Sequence, residues 1–282
     1  MRFSKESAEI YVPDGLDDRE ALTRTTHMGI AAHEDDLEIM VLDGILACFG
    51  QADKWFLGIV ATNGAGSPRD GLYAKCSDEQ MRRVRRVEQK KAAFVGEYGA
   101  AVFLDHSSSE IKNSAESDPR EDIRSLIAEA RPEIVYTHNL ADKHDTHVAV
   151  ALRTIEAIRE LPPDMRPGKL FGCEVWRSLD WMVDEDKVVF ALDRHENIAM
   201  SLVGIFDSQI AGGKRYDLAT MGRRRANATY YESHAVDASQ SMNFGMDLTP
   251  LIRDDNLDPN QYVQQHIERL ARDVAQRLKE FK

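Results

Sequence analysis

The segment GIAAHEDDLEIM, residues 29–40, combines a histidine with two adjacent carboxylates. His33, Asp35 and Asp36 follow a short apolar run and precede a stretch with helical character, which predicts a turn between a strand and a helix. In open α/β sheets this edge is where ligands bind. A single aspartate here would more often cap the helix. Two carboxylates behind a histidine instead indicate a metal site with an acid–base group beside it.

A second segment, YTHNLADKHDTHVAVA at residues 136–151, also runs from an apolar strand into a helix. His144 and His147 are three residues apart, so on a helix they lie on one face and can address a common point. A lone histidine usually has a structural role. A pair at the carboxyl edge of a strand predicts a functional one.

Together the two segments predict a catalytic zinc site. If their strands are neighbours in a parallel sheet, His33, His147 and one of the two aspartates could supply three protein ligands and leave a fourth position for water. The other aspartate could accept a proton from the attacking water, and His144 could donate a hydrogen bond to a developing oxyanion. Hydrolysis of an amide is the reaction that suits this set of groups.

Short apolar runs alternate with amphipathic stretches along the chain, which predicts a Rossmann-like α/β fold with a mostly parallel sheet flanked by helices. We expect one domain over 1–282, with a core at about 27–165 and a smaller C-terminal α/β subregion at about 166–282. Strands are predicted at 27–32, 54–61, 101–106, 133–138 and 169–175, a hairpin-like piece at 184–193, and helices at 37–50, 77–99, 121–130, 144–161 and from Asn260 onwards.

The composition limits the partners that the protein can have. Its formal net charge of −12 disfavours nucleic acid and anionic membranes, so we expect a small-molecule partner. The N-terminal stretch lacks the apolar region of a secretory signal, and no run is long enough to span a membrane, which favours a cytoplasmic protein. The three cysteines form no CxxC pair and are expected to be buried structural thiols. The sequence is compatible with a homo-oligomer and does not identify the number of subunits.

The two segments resemble the motifs of the PIG-L or LmbE-like zinc-dependent deacetylases, which read AHPDDE and HxxH. The resemblance implies that His33 and Asp36 are zinc ligands and that Asp35 is the general base. The last histidine of HDTH, His147, would complete the metal site, and His144 would stabilise the oxyanion. The family's known activities imply an N-acetylglucosamine-type substrate that releases acetate and a free amine.

Weaker similarity extends the resemblance to about residues 27–234. The helix RRVEQKKAAFVGEYG looks like the family's Arg-x-x-Glu helix, SLVGIFDSQI resembles a helix that ends in Ser-Gln, and ATYYESH resembles a late acidic segment. The matching residues are Arg85, Glu88, Ala92, Ala93 and Glu232.

Two residues depart from the first motif. Glu34 replaces its proline, adding a charge that we expect to face substrate or water, and Leu37 replaces its final glutamate, which removes a group that would orient the ligands. We therefore predict an intact metal site and an unusual substrate pocket.

Four further polar residues are candidates for contact with a sugar-like substrate, although each could equally be an ordinary solvated loop residue. Two of them follow the predicted strand at 54–61 and two stand at the end of the predicted strand at 101–106, and both places would surround the same crevice. They are Asn63, Arg69, Asp105 and His106.

Other activities remain compatible with the sequence. An amidase acting on a larger N-acyl conjugate would use the same mechanism. A non-haem Fe(II) oxygenase could use His33, Asp35 and a distant histidine as its ligands, although the expected β-sandwich is missing from the pattern. A nucleotide-binding enzyme would need a phosphate loop, and TNGAGSPRDG lacks the required spacing and lysine. A binding protein without catalytic activity also stays open. The ion itself could be Zn²⁺, Fe²⁺ or another divalent metal.

Overall fold

The computed structural model describes residues 1–282 and contains one continuous sheet of eight strands. The strands are β1 (Glu9–Tyr11), β2 (His27–Ala31), β3 (Phe56–Thr62), β4 (Ala100–His106), β5 (Ile134–His138), β6 (Lys169–Cys173), β7 (Lys187–Ala191) and β8 (Met242–Asp247). Their order across the sheet is β1-β4-β3-β2-β5-β6-β8-β7. The five central strands, β4 to β6 in this order, are parallel, and β1, β8 and β7 pair antiparallel. The predicted α/β fold with a mostly parallel sheet is confirmed.

Twelve helices accompany the sheet. They are α1 (Asp18–Thr23), α2 (Asp36–Met40), α3 (Leu42–Cys48), α4 (Asp78–Val95), α5 (Ser108–Lys112), α6 (Asp118–Ala130), α7 (Asp145–Arg159), α8 (Glu196–Gly204), α9 (Asp207–Ile210), α10 (Tyr216–Tyr230), α11 (Thr249–Arg253) and α12 (Pro259–Glu280). One hydrophobic cluster joins the sheet to α1, α5, α6, α7 and α11, and a second joins it to α2, α3, α4 and α8. Helices therefore cover both faces of the sheet. No helix combines the length and the apolar character that crossing a membrane requires.

Strands β2, β3 and β4 are buried along their whole length, as expected for parallel strands covered on both faces. β2 lies between β3 and β5, and it is parallel to both. The carboxyl ends of β2 and β5 therefore meet at one edge of the sheet. This adjacency brings together the two segments that the sequence singled out.

Two elements differ from the sequence-based expectation. The predicted helix at 37–50 is divided into α2 and α3, because the backbone of Val41 leaves helical geometry with φ −109° and ψ 20°. The predicted hairpin at 184–193 does not form, because β7 pairs instead with β8, more than fifty residues further along the chain. Both C-terminal strands extend the main sheet rather than forming a separate one.

The C-terminal helix α12 begins where the sequence predicted it. Only Val263 in its first turns is buried against the core. Its later apolar residues, Ile267, Val274 and Leu278, are exposed.

Candidate metal centre

The first motif is held tightly against the sheet. Gly29 of β2 and Gly58 of β3 are direct neighbours, and both lie beneath Leu37 of α2. A methyl group on Gly29 would lie 2.7 Å from Leu37 Cδ2, and one on Gly58 would lie 2.8 Å from Leu37 Cδ1. The paired glycines thus let the helix approach closely enough to fix the turn that carries His33, Asp35 and Asp36.

Three predicted ligands, His33 and Asp36 of this turn and His147 of α7, lie close together. His33 Nδ1 lies 3.2 Å from Asp36 Oδ2 and 3.2 Å from His147 Nε2, and the Asp36 oxygen lies 3.4 Å from the same His147 nitrogen. A tetrahedral zinc ion with ligand distances of about 2.0–2.1 Å separates its ligands by about 3.3–3.4 Å. The three atoms therefore have the spacing and the chemistry of a zinc donor set.

The charge states of these groups also suit a cation. Burial lowers the pKa of His33 to about 4, so this imidazole is neutral and keeps a lone pair for a metal. Although burial opposes it, the neighbouring imidazoles of His147 and His138 hold the pKa of Asp36 well below its usual range. The backbone N–H of His33 donates to Asp36 Oδ2 at 2.8 Å and orients the carboxylate.

Asp142, which the sequence analysis did not single out, orients His147. Its Oδ2 lies 3.3 Å from His147 Nδ1, so this nitrogen can donate a proton to the carboxylate and leave Nε2 unprotonated toward Asp36. The loop is held by Asp142 Oδ1, which accepts from the backbone N–H of Lys143 at 2.6 Å and of His144 at 3.2 Å. The aspartate lies between β5 and the HDTH motif, a position that could have suggested this role.

His138 at the end of β5 was also missed. Its ring stacks on His147 with centroids 3.9 Å apart, and its Nε2 lies 3.5 Å from Asp36 Oδ2. Together with Asp36 and His147 it forms a second candidate metal set. However, its Nε2 accepts a hydrogen bond from the backbone N–H of Ala32 at 2.9 Å, which occupies the lone pair a metal would need. His138 is therefore better suited to positioning His147.

His144 stands at the start of α7 on the cavity side of the centre. Its ring lies 4.4 Å from His147 and 5.1 Å from His33 between centroids, and its Nδ1 has no hydrogen-bond partner. Burial lowers its pKa, which favours the neutral ring. Because the three histidines offer ring nitrogens close together, His144 could act as a further ligand or as a hydrogen-bond donor to a substrate.

Asp35 faces the same cavity in an unusual backbone conformation. Its φ of 92° is rare for a residue with a side chain and is typical of strained functional positions. Burial raises the pKa of Asp35 well above its usual value, while Arg85, with Nη2 3.6 Å from Asp35 Oδ1, opposes this shift. A carboxylate with a raised pKa is suited to accepting and returning a proton near neutral pH.

Glu34 turns away from the cavity, contrary to the expectation that it would face substrate or water. It is buried, and its Oε2 lies 3.3 Å from Nε of Arg85. Arg85 in turn donates to the backbone carbonyl of Glu34 at 2.6 Å and to that of Gly64 at 3.2 Å. The residue that replaces the motif's proline thus supplies a counter-charge to the arginine beside Asp35.

A cavity of about 460 Å³ opens over the centre. Among the four predicted substrate contacts, only Asn63 lines it. The other side chains that line the cavity come from both the N-terminal and the C-terminal half of the chain. They include Asp35, Arg85, Lys112, His144, Trp176, Gln209, Lys214 and Tyr216.

Asp105 and His106 lie outside this cavity. The Asp105 carboxylate forms ion pairs with Arg82 and with Arg86, whose Nη2 is 3.0 Å from Asp105 Oδ1. His106 is fully buried, and its Nε2 lies 3.0 Å from Asp122 Oδ2. Both side chains are occupied by partners on the flanking helices, so neither can reach a substrate in this arrangement.

Arg69 is likewise outside the cavity. Its guanidinium donates to the backbone carbonyls of Ala65 and Cys76, the latter at 2.7 Å, and pairs with Asp78 at 2.5 Å. It braces the loop that Asn63 begins.

Two acidic residues from the weaker sequence similarities have different surroundings. Glu88 of α4 accepts from the backbone N–H of Ser208 at 2.8 Å and from its hydroxyl at 2.6 Å, joining two of the resembling segments. Glu232, in contrast, is exposed and lies away from the cavity.

Comparison with known proteins agrees with this architecture. The family model described as PIG-L, GlcNAc-PI de-N-acetylase, matches residues 28–158. No curated protein sequence matches the chain.

Solved structures share the fold at low sequence identity. The N,N'-diacetylchitobiose deacetylase of Pyrococcus horikoshii is 13% identical with a TM-score of 0.61, covering 82% of this chain and 86% of its own. The A40926 pseudoaglycone deacetylase is 18% identical with a TM-score of 0.57, covering 79% of this chain and 97% of its own. The 4-carboxy-2-hydroxymuconate hydratase of Pseudomonas putida is 12% identical with a TM-score of 0.58, covering 79% and 96%. The family match over residues 28–158 includes both the AHEDD and HDTH motifs.

Proposed function

We propose that this chain is a metal-dependent amidohydrolase that removes an acetyl group from an N-acetylated, sugar-like small molecule. The observation that carries the proposal is the triangle of His33 Nδ1, Asp36 Oδ2 and His147 Nε2, with sides of 3.2, 3.2 and 3.4 Å, beneath a cavity of about 460 Å³. The match of residues 28–158 to the PIG-L family model supports the same reaction.

His33, Asp36 and His147 would hold the metal, with zinc the best match to two imidazoles and a carboxylate. When bound, the ion supplies Lewis acidity that activates water and polarises the amide carbonyl. The carboxylate of Asp142 keeps His147 in the tautomer that presents Nε2. Other divalent ions, including Fe²⁺, could occupy the same donor set.

Asp35 is the proposed general base. It accepts a proton from the attacking water and returns one to the leaving amine nitrogen, which allows the carbon–nitrogen bond to break. Arg85 lies 3.6 Å from its carboxylate and opposes the effect of burial, which favours the deprotonated form that accepts the proton. His144 donates a hydrogen bond to the carbonyl oxygen as negative charge develops there.

The cavity volume lies within the range of small-molecule sites and suits a mono- or disaccharide-sized substrate. Asn63 lines it and can hydrogen-bond to a hydroxyl or to the acetamide. The names of two structural neighbours describe deacetylation of diacetylchitobiose and of a pseudoaglycone. A larger N-acyl group would undergo the same chemistry.

The test combines metal analysis with product detection. The purified protein is expected to bind about one zinc per chain, and to release acetate from one or more compounds in a panel of N-acetylglucosamine derivatives. Asp35→Asn should keep the metal and lose turnover, whereas Asp53→Asn, an exposed change before β3, should affect neither. Near-normal activity of Asp35→Asn would refute the assignment of the base.

The fold alone does not exclude a different reaction, because a hydratase shares it. Release of acetate separates the two activities, since hydration adds water to a carbon–carbon double bond and liberates no acid. Stoichiometric metal without acetate from any acetamide would count against the deacetylase proposal.

A further inference from the structure

The short helix α2 joins the two carboxylates of the first motif to the wall of the catalytic cavity. Asp35 and Asp36 stand at its beginning, and Ile39 near its end lines the cavity. With five residues, α2 is too short to be stable through its own hydrogen bonds. The position of both carboxylates therefore depends on the contacts that other elements make with this helix.

Arg224 of α10 holds the end of α2. Its Nη2 donates to the backbone carbonyls of Glu38 at 2.7 Å and of Ile39 at 3.2 Å. Asn243 of β8 donates through Nδ2 to the same Ile39 carbonyl at 3.1 Å. The last carbonyls of a helix have no partner within it, and a cation is favourable at this end. Two side chains from outside the residues that match the family model thus complete the helix.

Arg224 is unusual because its charge is buried without an acidic partner. The residue is fully buried, and no carboxylate pairs with its guanidinium. Burial lowers the pKa of Arg224 to about 9, so the group remains protonated at neutral pH. A buried cation that lacks an opposite charge destabilises a fold. An apolar side chain of similar size would serve packing better, which indicates that the guanidinium has another role.

A buried chain of hydrogen bonds connects the end of α2 to Asp35. The Glu38 carboxylate accepts from Gln89 Nε2 at 2.7 Å and from the Tyr98 hydroxyl at 2.7 Å, and all three side chains are buried. Gln89 Oε1 in turn accepts the backbone N–H of Asp35 at 3.2 Å. The residue whose carbonyl contacts Arg224 thus also fixes, through Gln89, the backbone of the proposed base.

The hydrogen bond from Asp35 to Gln89 acts at the strained point of the turn. Asp35 has a φ of 92°, a conformation that is costly for a residue with a side chain and persists only where the surroundings enforce it. Glu38 follows Leu37, the residue that replaces the glutamate of the family motif. The chain therefore still has a buried carboxylate beside the turn, one residue later than in the motif.

We propose that Arg224 and Gln89 are positioning residues for the turn that carries the two carboxylates of the first motif. Arg224 fixes the end of α2, Gln89 fixes its beginning, and Glu38 joins the two contacts. The inference rests on the proposed function and adds to it two residues that do not line the catalytic cavity. Loss of either contact lets the turn relax, which misplaces Asp35 and Asp36 without removing them.

The test uses variants that remove the hydrogen bonds and keep most of the side-chain volume. They are Arg224→Met, Gln89→Met and the two combined. Arg224→Lys keeps the charge and a single donor group, and it stands in if Arg224→Met does not fold. Arg225→Met is the matched control on the same helix. Arg225 bonds to Glu196 and to the backbone carbonyl of Gln240, and neither residue lines the catalytic cavity.

Four quantities are measured for each protein. They are kcat and KM for acetate release, zinc affinity by competition with a chelator, the urea midpoint of the metal-free protein, and hydrogen exchange of its residues 33–41. Each methionine variant is expected to lower kcat by about tenfold to a hundredfold, with KM unchanged, and to weaken zinc binding by about tenfold. Exchange should become faster in residues 33–41 and stay unchanged in β3 and β4. Arg224→Lys should fall between the wild type and Arg224→Met.

The double variant tests whether the two residues act on one turn. Its loss of kcat should be smaller than the product of the two single losses, because the first change already releases the turn. A purely structural role would lower the urea midpoint, speed up exchange throughout the chain and leave kcat of the folded protein unchanged. That result, or single losses that simply multiply, would overturn the inference. Arg225→Met should match the wild type in kcat and zinc affinity.

Zinc affinity and hydrogen exchange separate this inference from the deacetylase proposal. If no compound releases acetate, but both variants weaken zinc binding and loosen only residues 33–41, the positioning roles are correct and the reaction is wrong. If the wild type releases acetate and both variants equal it in kcat and zinc affinity, the reaction is correct and the positioning roles are wrong. The exchange measurement uses metal-free protein, so it requires neither activity nor metal.

Discussion

Replacement of Asp142 by asparagine tests the centre through a residue that does not touch the metal position. In the native protein Asp142 Oδ2 faces two donors, His147 Nδ1 at 3.3 Å and the Trp176 N–H at 3.2 Å, while Oδ1 faces the backbone N–H groups of Lys143 and His144. An asparagine has one carbonyl oxygen and must direct its NH₂ group at one of these pairs. If the asparagine oxygen continues to accept from the backbone N–H groups of Lys143 and His144, its NH₂ group faces His147 Nδ1. That nitrogen must then accept a hydrogen bond, so the ring proton of His147 moves to Nε2.

The expected loss follows from this change of tautomer. A proton on Nε2 removes the lone pair that faces Asp36 and His33, and the side chain of Asp142 is fully buried, so water cannot replace it. Loss of a group that orients a ligand typically reduces metal affinity by about 10- to 100-fold. This corresponds to about 1.4–2.7 kcal/mol of binding free energy.

Zinc affinity would be measured by competition with a chromophoric chelator at constant pH. Asp145→Asn is the matched control, because Asp145 is exposed in the first turn of α7, the helix that carries His147. Thermal unfolding of the metal-free proteins would show whether the variant remains folded. A folded Asp142→Asn protein with wild-type zinc affinity would refute the role assigned to Asp142 and the use of His147 Nε2 as a ligand.

Further predictions concern packing and thiol reactivity. Gly29→Ala should lower the free energy of unfolding by about 1–3 kcal/mol, because its methyl group would overlap Leu37, whereas Gly222→Ala, in an open helical position, should raise it by about 0.5–1 kcal/mol. Urea unfolding measures both, and equal effects would contradict the close packing of α2 on the sheet. Cys76 is only half-buried, contrary to the expectation that all three cysteines are buried. At pH 8 a thiol reagent should modify Cys76 first, since Cys48 is buried and burial raises its pKa to about 11. Rapid labelling of Cys48 in the folded protein would show that its segment opens readily.

Much of the centre was predictable because it depends on local pattern. An apolar strand followed by AHEDD predicts that His33 and Asp36 stand at a carboxyl edge, and HDTH after β5 predicts the same for His147. Parallel strands that are neighbours must bring such turns together, and β2 and β5 are neighbours. The resemblance to the PIG-L family added the division of labour between Asp35 and Asp36, which spacing alone left open.

The substrate contacts were less predictable because they depend on which partner each side chain finds. Asp105 lies at the carboxyl end of β4, the same edge of the sheet as Asp36, yet its carboxylate pairs with two arginines of α4. Arg69 bonds to its own loop instead of facing the cavity. A polar residue at the carboxyl edge of a sheet contacts substrate only if no neighbouring side chain of opposite charge binds it first.

The sequence by itself determined the α/β class, the central strands and the turns that carry the donor atoms, because these follow from apolar periodicity and from the order of residues within short segments. Only the tertiary structure decided that β7 pairs with β8, that His138 and Asp142 support His147, and that Glu34 faces Arg85. These contacts join residues from separate elements. Their free energy depends on burial and on the position of opposite charges, which exist only once the chain has folded.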